Sequence, residues 1–167
     1  MLQSKLTSYI VKIAHAISVF MMILLAVTLF VGVLSRYVFS YSIPELEVLR
    51  NFSLMWLVFI GSALAVKEKM HLEIDIFSDY ISERINRIRL LVVFILSIFG
   101  MGILVFIGIA AFQSGLNRTE LVPIRILSTQ PTLIYYYSAF LVGSILMLYF
   151  HLINSRELLA RNEVKKK

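Results

Sequence analysis

Four stretches of this chain run without charge for long enough to matter in a lipid bilayer, and no other feature constrains its fold as tightly. They cover residues 13–35, between Lys12 and Arg36; 51–66, between Arg50 and Lys67; 90–117, between Arg89 and Arg118; and 126–155. A spanning helix needs about 20 mostly apolar residues. Inside lipid every backbone N–H and C=O must find a partner within the protein, so such runs form helices. Hydrophobic residues make up 59% of the chain and charged residues 16%, with a mean hydropathy of +0.86. A soluble domain carries about 25% charge. The expected fold is an all-α integral membrane protein with four transmembrane helices. One domain over 1–167 has spans of about 13–35, 44–66, 90–112 and 131–153.

The second run has only 16 residues, but its upstream neighbours extend it. Pro44 suits the first helical position, where its missing N–H would be unpaired in any case. Ser42 and Glu45 have capping-box spacing, and Glu45 and Glu47 sit where a helix dipole favours negative charge. A helix over 44–66 reaches across the bilayer with Arg50 snorkelling outward. The first run is too long for the apolar part of a secretory signal, and Ser35-Arg36-Tyr37 is a poor cleavage site, so it reads as a retained span.

Orientation follows from basic residues. Lys5 and Lys12, then Lys67, Lys69, Arg84, Arg87 and Arg89, then Arg156, Arg161 and Lys165 to Lys167 fall on one side, twelve in all. Arg36, Arg50, Arg118 and Arg125 make four on the other. Both termini are therefore expected in the cytoplasm. Because the basic residues flank apolar runs, the net charge of +6 points to anionic lipid headgroups and not to nucleic acid.

Between spans two and three, Ile74, Phe77, Ile81, Ile85 and Ile88 recur at helical spacing. Acidic residues lead and arginines follow, so an amphipathic helix is expected over about 72–89, on the cytoplasmic side. It has the character to lie on lipid, to meet a partner, or to present a solvated face. Tyr135 to Tyr137 open the fourth span, where an aromatic belt accounts for them. Asn117-Arg118-Thr119 matches a glycosylation triplet, a weak signal at three residues.

Signs of chemistry are few. Ionisable residues inside a membrane usually mark an ion or substrate path, and the middles of these spans contain none. Carrier cores often have helices broken near the midplane, whereas Pro44, Pro123 and Pro131 all lie at span ends or in loops. The chain has no cysteine. His15 and His151, near the cytoplasmic ends of spans one and four, are of the type that ligates haem; an interfacial position accounts for them equally. His71, Glu73 and Asp75 fall short of the roughly four converging ligands of a closed metal site. No catalytic set, metal site or cofactor is expected. Gly61 with Ala65, and Ala139 with Gly143, have the small-xxx-small spacing that lets helices approach in lipid. Gly100, Gly102 and Gly108 offer further close contacts in span three. Trp56 sits mid-span, suited to a groove between helices.

The run Pro44-Glu45-Leu46-Glu47, Trp56-Leu57-Val58-Phe59-Ile60-Gly61-Ser62-Ala63, Lys67 and His71-Leu72-Glu73-Ile74-Asp75 resembles the small Q-type (DctQ-like) subunit of tripartite ATP-independent periplasmic (TRAP) transporters. Length and span number agree. The resemblance implies an accessory subunit in a bacterial inner membrane, packed on the static scaffold of a large M-type subunit that imports an organic acid, such as a C4-dicarboxylate or a sialic acid, on a sodium gradient. It implies a periplasmic solute-binding protein as a further partner. Glu45, Glu47, Trp56, Gly61, Ala65, His71 and Asp75 are then candidates for packing on the large subunit. Arg36, Arg118, Glu120 and Arg125 are candidates for touching the binding protein. Here Leu46 separates the two glutamates, where the family often has adjacent acids. Rival readings are a respiratory membrane anchor with haem on His15 and His151, a self-sufficient homo-oligomeric carrier, and a scaffold without transport.

Overall fold

A computed structural model of the chain describes residues 2–68, 83–122, 124 and 130–164. Four helices account for almost all of them: α1 (Leu2–Tyr37), α2 (Pro44–Glu68), α3 (Glu83–Leu116) and α4 (Ile134–Val164). All four are long and apolar enough to cross a membrane. At 1.5 Å per residue, α1 and α3 measure about 54 and 51 Å, well beyond a hydrocarbon core of about 30 Å. Glu83 to Arg89, the end of the expected amphipathic helix, is continuous with α3. Ile85 and Ile88 are exposed there. The preceding part, 69–82, lies outside the described residues.

The helices form a row and not a closed bundle. α2 packs on both α1 and α4, and α3 packs on α4. α1 also reaches α4 near its own start, where the hydroxyls of Thr7 and Tyr149 meet at 3.3 Å. Lipid tails are as apolar as leucine, so burial alone does not drive helices together; close packing and hydrogen bonds do. The seams reflect this. On α1 the buried residues are Thr7, Ala14, Met21, Thr28 and Ser35, every seventh position. A seven-residue repeat keeps one stripe facing a neighbouring helix along its whole length. Thr28 donates to the carbonyls of Leu24 and Leu25, both at 2.9 Å, and Ser35 to that of Gly32 at 3.1 Å. Ser53 and Ser144 likewise donate to Leu49 O (2.8 Å) and Phe140 O (2.7 Å). Each hydroxyl is satisfied on its own helix, so its seam can close without an orphaned polar group.

The α2–α4 seam is closest at Gly143. A Cβ there would stand 2.6 Å from Phe59 Cβ and 2.8 Å from the Phe59 carbonyl oxygen. Ala139, one turn earlier, is fully buried. On α3, Gly108 faces Leu141 and Gly115 faces Tyr137, while Gly100 and Gly102 meet nothing within 4 Å. The best-packed region lies toward the chain termini, where Ile60, Ala63 and Leu64 of α2 meet Ala14 of α1 and Met147 and Phe150 of α4.

Between α1 and α2, Ser40 adopts a left-handed φ of 51°, and Tyr41 N–H donates to Ser35 O at 2.9 Å. Pro44 is the first residue of α2, so Ser42 falls one position before the cap. α4 starts at Ile134, after Pro131. Residues before it are held otherwise: Glu120 N–H donates to Pro131 O (2.9 Å) and Leu133 N–H to Arg118 O (2.8 Å), around an antiparallel bridge between Thr119 and Thr132.

Candidate functional site

The residues singled out from the sequence fall into three groups. The first faces away from the chain's own core. Glu47, Asn51, Leu54, Val58, Gly61, Ala65 and Glu68 follow one another along α2 at alternating steps of four and three. All are exposed except Gly61, which is half-exposed, and a Cβ on Gly61 would meet nothing within 4 Å. Steps of three and four keep residues on one side of a helix. α2 thus presents a continuous stripe, apolar in its middle, small at Gly61 and Ala65, and acidic at each end. Glu47 pairs with Arg50 at 3.6 Å, as their spacing predicts, with both side chains about half exposed. Glu45 is partly buried; two positions apart on a helix, the two glutamates point to different sides.

The second group is engaged inside the chain. Trp56 donates its indole N–H to Tyr135 O at 3.3 Å and packs against the cluster of Ala14, Ile60 and Leu64. It fills a groove among α1, α2 and α4. Glu120 is only 9% exposed. One carboxylate oxygen accepts from Leu121 N–H (3.1 Å) and Val122 N–H (3.4 Å), and the other from the Tyr135 hydroxyl (2.9 Å). Arg36 and Arg118, by contrast, are exposed. The third group, His71, Asp75 and Arg125, lies outside the described residues.

Three interactions had no local signal. Asn154, 4% exposed, accepts from Lys67 Nζ at 3.0 Å and donates to the carbonyls of Val66 (3.0 Å) and Lys67 (3.3 Å). It caps the end of α2, where the last carbonyls have no intrahelical partner. Tyr136 donates to Val48 O at 3.1 Å, and Tyr137 lies under Gly115. The tyrosine run therefore ties α4 to the outer loop, α2 and α3, which an aromatic belt alone does not require.

His15 and His151 are not brought together as a haem pair. His15 lies 3.7 Å from Glu68 on the α1–α2 side. The ring of His151 stacks on Phe94 of α3, with centroids 5.2 Å apart. Among the described residues no group of three or more metal-ligating side chains converges. What the arrangement offers chemically is surface: a helix face shaped to receive another helix, and polar ends.

A family model described as tripartite ATP-independent periplasmic transporters, DctQ component, matches residues 25–161. Curated proteins include no match. With four membrane-spanning helices and a match running from the middle of α1 into the last turns of α4, the chain belongs to the DctQ family, the small membrane component of TRAP transporters.

Proposed function

We propose that this chain is the non-catalytic scaffold subunit of a sodium-driven importer of an organic acid, of the C4-dicarboxylate or sialic acid type. It packs on a large M-type subunit in a bacterial inner membrane, with both termini in the cytoplasm. The observation that carries the reading is the outward stripe of α2, together with span centres free of Asp, Glu, Lys and Arg. A chain with no ionisable group at the midplane has no evident ion site of its own. A row of helices with an open, small-residue face is suited to widening another protein's fixed frame. In this reading Gly61 and Ala65 admit a helix of the large subunit, with Glu47 at the stripe's outer end. Arg36 and Arg118 face the periplasm, where a solute-binding protein arrives. Sodium coupling and solute choice belong to the partners. The twelve-to-four asymmetry of basic residues supports the orientation.

Co-purification tests this. Tagged in its native operon and extracted in mild detergent, the chain should retain a stoichiometric large membrane protein. Sodium-dependent uptake in vesicles should need both chains and a binding protein. A homo-oligomer that transports on its own would overturn the proposal in favour of a self-sufficient carrier.

A further inference from the structure

The loop after α1 roofs a cleft of about 240 Å³ between the end of α1 and the start of α2. Its lining changes character with depth. Arg36, Ser42, Glu47 and Arg50 stand toward the loop, and Leu29 and Val33 lie further down α1. At 1.5 Å per residue, Leu29 is about 10 Å below Arg36. Both Leu29 and Val33 are also exposed on the outer surface of α1. Arg50 is partly neutralised by Glu47 at 3.6 Å. Arg36 has no ion-pair partner among the described residues. Two guanidiniums against one carboxylate leave the rim with one net positive charge, at the depth where arginines snorkel to headgroups.

We propose that this cleft is a binding site for one glycerophospholipid, with the phosphodiester on Arg36 and Arg50 and an acyl chain laid along Val33 and Leu29. One phosphodiester carries the single negative charge that the rim lacks, and guanidinium–phosphate contacts are strong and directional. The cavity is smaller than the roughly 300–1,000 Å³ of sites that enclose a small molecule. It matches a headgroup whose remainder stays in the bilayer. An acidic protein segment would satisfy the rim and leave the apolar floor without a partner. Basic recesses between transmembrane helices bind lipid headgroups by this same chemistry. The inference depends on the helices lying in a membrane and not on the transport role.

The test is native mass spectrometry of the delipidated full chain, titrated with dioleoyl phosphatidylglycerol. Dioleoylglycerol and inorganic phosphate serve as competitors. One lipid should bind saturably, and neither competitor should displace it. R36Q/R50Q should weaken it about tenfold, roughly the loss of one charge-assisted contact, while R36K/R50K retains most of the affinity. Trp56 fluorescence reports whether each variant is folded. The wild type alone already decides against the proposal if dioleoylglycerol competes equally, which removes the phosphate from recognition, or if inorganic phosphate competes equally, which makes the site one for free anions. Unchanged lipid affinity in folded R36Q/R50Q, with loss of a co-purifying membrane protein, would reassign the rim to protein docking and overturn the lipid reading.

Discussion

Replacing Gly143 by alanine places a methyl group where the α2–α4 seam has no room. The new Cβ would lie 2.6 Å from Phe59 Cβ, 2.8 Å from its oxygen and 2.9 Å from its carbonyl carbon. Two of these atoms are backbone, so rotating a side chain does not relieve the contact. Ordinary contact starts at 3.4 Å, so the helices must part by up to about 0.8 Å. Overpacking of this kind costs about 1–3 kcal/mol. Alanine also favours a helix over glycine by about 1 kcal/mol, which masks part of the loss. Gly61→Ala is the control: it carries the same helix gain on the same seam-forming pair of helices, but its Cβ meets nothing. The difference between the two variants isolates the seam. Gly143→Ala should be the less stable by about 1–3 kcal/mol, or about 3–10 °C in melting temperature for a chain of this size. Trp56 is the only tryptophan and packs in the same region, so its fluorescence in detergent micelles reads the transition directly. If Gly143→Ala melts at or above Gly61→Ala, the seam is looser than described and the reasoning fails.

Other outcomes follow from the same contacts. Asn154→Ala leaves the carbonyls of Val66 and Lys67 without their cap and should cost about 1–3 kcal/mol, read by the same melt. Glu120→Ala should destabilise the outer loop and expose it to protease from the periplasmic side, whereas Arg118→Glu should leave the melt unchanged and lower uptake only when binding protein is limiting. Ser40→Gly relieves a left-handed backbone position and should stabilise the chain by up to about 1 kcal/mol. Gly61→Leu should leave the isolated chain folded yet prevent co-purification of the large subunit; retention of that subunit would move the docking face elsewhere.

Much of the fold could be read along the chain because lipid imposes a local rule. Uncharged runs and their flanking arginines and lysines mark spans without reference to tertiary contacts, and Pro44 sits at the observed start of α2. The two small-residue pairs look alike in sequence, yet Ala139 and Gly143 face α4's neighbour within the chain while Gly61 and Ala65 face out. Spacing reports that a close approach is possible and not which helix makes it. Glu120 was hidden for a different reason. A carboxylate in a water-facing loop ordinarily reads as solvated, and only the fold brings Tyr135 to it. Asn154 reaches carbonyls 88 and 87 positions away in the chain, beyond any periodicity.

The order of the row bears on how the chain enters the membrane. α1 meets its neighbour as soon as α2 emerges. α3, whose described packing is against α4, must wait in lipid until α4 is made. The two helices at the ends of the row, α1 and α3, are more apolar than the inner pair, α2 and α4. The polar ties made by Ser53, Ser144 and Asn154 belong to the inner pair. α3 is thus equipped to persist alone in the bilayer, and α4, the least self-sufficient partner to arrive, completes the row by joining two halves already in place.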